Sequence, residues 1–119
     1  MRPAIEVLSP AGSPDSLIAA VRCGAAAVYL GADDFNARRA AHNFTREELR
    51  EAVEYCHIRG VAVHLALNTL ISDSEMPQAL DLAQYACEIG VDAIIVQDLG
   101  LARLLRFAAP QMPLHASTQ

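Results

Sequence analysis

One short pattern recurs three times in the chain and restricts its fold more than any other feature. It appears as "CGAAAVYLGADD" from Cys23, "RGVAVHLALNTL" from Arg59 and "IGVDAIIVQDLG" from Ile89. In each case a glycine follows a helical stretch, a short apolar run comes next, and small or polar residues close the unit. Glycine suits the left-handed position just past a helix C-terminus, and a short apolar run suits a strand covered on both faces. The repeated unit is therefore helix, turn, strand, loop.

The helical stretches carry their own start signals. Thr45 precedes Glu47 and Glu48, an N-cap with acidic residues in the first turn, and Leu49, Val53, Cys56 and His57 then recur at helical spacing. Pro14 suits the first turn of a helix running to about Arg22. The spacing predicts strands near 5–8, 27–30, 62–67, 93–96 and 114–117, and helices near 14–23, 45–59, 75–89 and 99–108.

Strict alternation of this kind gives an α/β fold with a parallel sheet, either doubly wound or closed into a (β/α)8 barrel. The doubly wound nucleotide-binding form carries G-x-G-x-x-G after its first strand, whereas "SPAGSPDS" has a single glycine there. The expected fold is thus the N-terminal portion of a TIM-type barrel with about five parallel strands and four helices. A complete barrel has eight strands and about 250 residues. Residues 1–119 are accordingly expected to be one partial barrel domain, cut after its fifth strand.

Composition excludes several classes. With 53% hydrophobic residues the chain can build a core, and its formal charge of −5 argues against a free-standing nucleic-acid grip. No apolar run approaches the ~20 residues of a membrane span, and "MRPAIEVLSPAG" lacks a secretory apolar segment, so the expected location is the cytoplasm, with no membrane partner. Cys23, Cys56 and Cys87 form no C-x-x-C pair and fall on helices just upstream of the repeated glycines, which suits packing rather than metal binding.

Side chains alternate across a strand, so Glu6, His64 and His115 are expected on the barrel interior, in one polar layer shared by the first, third and fifth strands. A carboxylate beside two imidazoles suits acid–base chemistry and can hold a chosen tautomer; the same three residues also suit a self-satisfied polar plug. Strand ends on the active face place Ser9, Gly31, Asn68, Thr69, Gln97, Asp98, Ser117, Thr118 and Gln119 as further candidates, with helix capping the other role for Asp98. In the loop "GADDFNARRAAHNF", Arg38, Arg39 and Asn43 offer donors to an anion and Phe35 or Phe44 a stacking ring, or else the loop is solvated with its two phenylalanines tucked into the barrel mouth. A triad of Ser9 or Ser117 with His115 is a weak signal in a chain of this size.

The segments "IEVLSPAGSPDSLIAAVRCGAAAVYLGADDFNARRAAHNFT", "VHLALNTL", "DAIIVQDLG" and "PLHASTQ" resemble the N-terminal part of the peptidase U32 family, the collagenase-like proteases. The resemblance implies a TIM-type barrel with further domains. Some members are associated with protein degradation. Others carry out oxygen-independent hydroxylation, of RNA bases using prephenate or of ubiquinone precursors, with an iron–sulfur cluster held by four cysteines downstream of "STQ". No cofactor is therefore expected in this chain alone.

By position the resemblance brings Glu6, Arg38, Asn43, Asn68, Asp98 and Ser117 to Gln119 forward as site candidates without individual roles. It implies that the chain's partner is the C-terminal part of its own barrel, that RNA or peptide is the substrate of the longer protein, and that the isolated chain is inactive. The alternative is a natural short chain that acts as a binding module, self-associating or pairing with another chain through open strand edges.

Overall fold

The computed structural model of the protein describes residues 8–31, 44–67 and 71–116, and within them strands and helices alternate throughout. The elements are β1 (Leu8–Pro10), α1 (Pro14–Arg22), β2 (Ala27–Gly31), α2 (Arg46–Ile58), β3 (Ala62–Leu67), α3 (Met76–Ile89), β4 (Ala93–Val96), α4 (Leu99–Ala108) and β5 (Leu114–Ala116). The boundaries follow local chemistry. Thr45 and Glu48 form a reciprocal capping box on α2, each side chain accepting the other's backbone N–H at 3.1 and 3.0 Å, an arrangement that contributes about 1 kcal/mol. Ser13 caps α1, accepting the Ser16 N–H, with Pro14 in the first turn. At the other ends, Gly24 and Gly90 hold φ of +92° and +91°, so the repeated glycine does supply the left-handed turn into the next strand.

β1 runs to Pro10, two residues beyond the expected strand end. Proline is tolerated because the ladder bond here is made by the next residue, Ala11, whose N–H reaches Tyr29 O at 2.9 Å. Alternation then turns the Pro10 nitrogen toward the edge of the sheet, where a missing donor breaks no bond.

All five strands are parallel, in the order β1-β2-β3-β4-β5. A doubly wound sheet reverses direction at a switch point, whereas here each strand is laid beside its predecessor as in an arc of a (β/α)8 barrel. Right-handed crossovers in sequential order place the helices on one face. Val28, Leu30, Val63, Leu65, Leu67, Ile94 and Val96 point to that face and pack with Leu17, Leu49, Val53, Ala79, Leu82 and Leu101 into the core. The other face carries Tyr29, His64, Ile95 and His115, none of which is fully buried.

The N-terminal end of the sheet is held by a polar clasp. Asp92 Oδ2 accepts the Val63 N–H at 2.7 Å and meets His57 Nε2 at 2.8 Å, tying the end of α2 to the entries of β3 and β4. Farther along, Arg46 bridges to Asp81 at 2.7 Å and Tyr85 donates its hydroxyl to Arg46 O, linking α2 to α3. The ion pair is solvent-exposed, so it orients the helices more than it stabilises them. Among the described residues no helix is long and apolar enough to cross a membrane.

Candidate functional site: an imidazole pair on the open face

In β3 the helix-facing positions are taken by Val63, Leu65 and Leu67, which leaves Ala62, His64 and Ala66 for the opposite face. His64 lies beside Tyr29 of β2 and Ala93 of β4. His115 of β5 lies beside Ile95 of β4 and so shares that face. Two strand spacings, about 9.5 Å, separate β3 from β5. Both side chains must tilt over β4 to meet, and they do: their ring centroids are 5.0 Å apart with an interplanar angle of 81°. Such an edge-to-face contact is a favoured aromatic geometry. Ala93 beneath them is small enough to leave room and is itself only 2% exposed.

Of the three residues expected in one polar layer, His64 and His115 are thus brought into contact. Glu6, assigned to the same layer, lies outside the described residues, as do Arg38, Arg39, Asn43, Asn68, Thr69, Ser117, Thr118, Gln119 and Phe35. His64 is half-buried, with its Nδ1 atom enclosed, while His115 is exposed. The pair thereby combines one ring set in the sheet with one open to a ligand.

Asp98 has a defined structural task. Its Oδ1 accepts the Leu101 N–H at 2.8 Å, capping α4, and its Oδ2 accepts the Ile71 N–H at 2.9 Å, fastening the chain after β3 to the end of β4. The N–H groups of Ile71 and Leu101, with a smaller contribution from Gly100, hold the carboxyl below its ordinary value of 3.8. Asp98→Ala is expected to cost about 2 kcal/mol, the sum of a lost cap and a lost loop bond. Because the folded-state pKa is depressed, the carboxylate's contribution is full above the unfolded value and disappears as pH falls through the folded one. Melting curves of wild type and variant should therefore converge as pH falls below the ordinary carboxyl value of 3.8 and through the lowered folded-state value, and lie furthest apart near neutrality.

Phe44, considered as a stacking ring, is instead a core residue. It is 1% exposed, belongs to the same core cluster as Leu17 of α1 and Ala52 of α2, and its N–H bonds Gly31 O at 2.9 Å. A ring that closes the helix-side core cannot also stack on a ligand at the sheet's open face. Ser9 is likewise removed from the imidazoles: it pairs with Val28, a helix-facing residue, and so has the opposite parity to Tyr29 and His64. No Ser9–His115 triad can form across the sheet.

Comparison with known proteins matches residues 12–119 to the family model for peptidase family U32. The chain belongs to peptidase family U32. Its U32 relatives include the uncharacterized protease MJ0090 of Methanocaldococcus jannaschii, 38% identical over 97% of this chain and 28% of that protein. Another is the 23S rRNA 5-hydroxycytidine C2501 synthase of Escherichia coli K12, 39% identical over 97% of this chain and 17% of that protein. The chain thus spans less than a third of either relative's length. A solved structure, that of the U32 peptidase Mk0906, superposes with a TM-score of 0.65 over 98% of this chain and 49% of that one, at 17% identity, which extends the agreement to the fold.

The cysteines of this U32 chain do not fit an iron–sulfur cluster. Cluster ligands are thiolates gathered at one point. Cys56 is fully buried, and burial pushes its thiol up to about 11. Burial also raises Cys87, and Cys23 sits apart at the exposed end of α1. Among the described residues no three His, Cys, Asp or Glu side chains gather into a metal site.

Sequence reasoning passes over Tyr29. The signal is present in "AVYLG", where Val28 and Leu30 turn to the helices and Tyr29 must turn the other way.

Proposed function

We propose that this chain is the first part of the barrel of a U32 enzyme that hydroxylates a base in RNA, and that it supplies part of the substrate-facing wall. The observation that carries the proposal is the imidazole pair on the open face, 5.0 Å between centroids, with Ser9 on the other side of the sheet. Among the described strand residues of that face there is no serine or threonine, and two imidazoles in such a setting suit orienting a planar base and holding a proton better than they suit acyl transfer. The 39% identity to an rRNA hydroxycytidine synthase is compatible with this reading, and the choice over peptide hydrolysis rests on the imidazole pair. Any cluster belongs to cysteines beyond this chain and would supply the hydroxylation chemistry, while His64 and His115 position the base. A protein acting on cellular RNA in this way works in the cytoplasm.

In this proposal the barrel's remaining strands complete the wall. Among the described residues β1 and β5 each pair on one side only, and Leu104 and Phe107, one helical turn apart on α4, are 43% and 89% exposed. The next strand and helix of a barrel would cover that stripe. The basic surface that RNA requires also comes from there, since this chain is acidic.

The test is mass spectrometry of nucleosides from cells lacking the gene and from cells in which it is restored. The expected result is loss and recovery of a nucleoside one oxygen heavier than its parent. Unchanged RNA together with lost turnover of a gelatin substrate would favour peptide hydrolysis. A purified product of only this length, forming a stable dimer, would favour a self-associating module.

A further inference from the structure

The imidazole pair lies in an unusual setting. On its face of the sheet the neighbouring positions of β2 to β4 are Ala27, Gly31, Ala62, Ala66 and Ala93, with Ile95 the one bulky aliphatic residue among them. Barrel interiors are ordinarily filled by bulky branched residues. Here, from β2 to β4, the face offers small residues, the branched Ile95 near the end of β4, and two larger groups with polar atoms directly abreast in the register, Tyr29 and His64. Adjacent strands lie about 4.8 Å apart, so the phenol and imidazole rise from the sheet side by side. Tyr29 is half-buried, and among the described residues no hydrogen bond engages its hydroxyl.

We infer that Tyr29 is a third ligand-facing residue of the site, donating or accepting a hydrogen bond at the polar edge of a neutral planar group beside His64. The chemical class follows from what the face presents. Its described strand residues include no Asp, Glu, Lys or Arg, so it lacks the fixed charge that would recognise a phosphate or a carboxylate. A phenol and two imidazoles each offer both hydrogen-bond roles, which suits an amide-like edge carrying donor and acceptor together. Ala27, Gly31 and Ala62, small and partly exposed, flank Tyr29 and His64 where such a group would lie.

The inference rests on the RNA-base proposal, and the experiment separates the two. Uridine is titrated calorimetrically into the full-length protein as wild type, Tyr29→Phe and His64→Ala, with melting temperatures in parallel. Tyr29→Phe removes one hydroxyl and keeps the ring, so it is expected to weaken uridine binding about 3- to 10-fold, the range for one hydrogen bond to a neutral group, at an unchanged melting temperature. Binding within twofold of wild type in Tyr29→Phe, while His64→Ala binds weakly, would overturn the role of Tyr29 and leave the imidazole site standing. Unaltered binding in both variants, or none by wild type, would overturn both. A weakened Tyr29→Phe that also melts lower overturns the ligand-facing role, because the hydroxyl would then be supporting the fold.

Discussion

His64→Ala in the full-length protein is expected to lower turnover on RNA about 100-fold or more, the lower end of what a positioned acid–base group contributes. The same change should cost about 1 kcal/mol of stability or less, because His64 lies on the open face and its truncation leaves no hole among the packed helices. Nucleoside mass spectrometry on substrate RNA measures the first quantity and a thermal melt the second. The ring contact with His115 makes the variant informative, since losing one imidazole also releases the other from its edge-to-face position. Turnover that survives in a protein that melts early would reduce the pair to a polar plug in the barrel interior.

The adjacent residue should behave in the opposite way. Leu65 is 0% exposed, at the middle of the central strand, with Leu30 and Ile94 beside it in register. Leu65→Ala removes the side chain from a site walled on both sides by neighbouring strands and above by helices, so little can collapse into the gap. The expected cost is about 2–5 kcal/mol. Hydrogen exchange of the β3 and β4 amides reads this directly, with protection falling by roughly 30-fold to several thousand-fold if those amides exchange through global opening. A loss below about 1 kcal/mol would mean that the helix layer moves to fill the space, and the core would then be looser than its burial implies.

Together the two variants test the parity of β3. His64 and Leu65 are consecutive, yet one takes the sheet's open face and the other the core, because side chains alternate across a strand. That parity is legible in the residues "VAVHLALN" alone, and so are the capping box at Thr45 and the turn at Gly90. Each depends on residues within a few positions of one another, where backbone sterics and hydrogen-bond reach leave few alternatives. Tyr29 is equally legible by the same rule, although its chemistry attracts less notice than a histidine.

Asp98 shows where local reasoning stops. Capping α4 follows from its position before "LGLARLLRF", but the second oxygen's bond to Ile71 joins segments far apart in the chain. Phe44 is another case, since a phenylalanine ending a charged loop reads equally well as a stacking ring or a core residue. The N–H bond to Gly31 and its place among the buried residues of α1 and α2 decide for the core.

By itself, then, the sequence determined the alternation of helix and strand, the parallel sheet, the face each strand residue takes and the family resemblance. These rest on period, propensity and short-range capping, which act within a turn or two of the chain. Only the tertiary structure decided that His64 and His115 meet across β4 and that Asp98 reaches back to Ile71. Those outcomes depend on the hand of each crossover and on the register between neighbouring strands. Both are set by packing the whole helix layer against the sheet, which no local stretch of residues encodes.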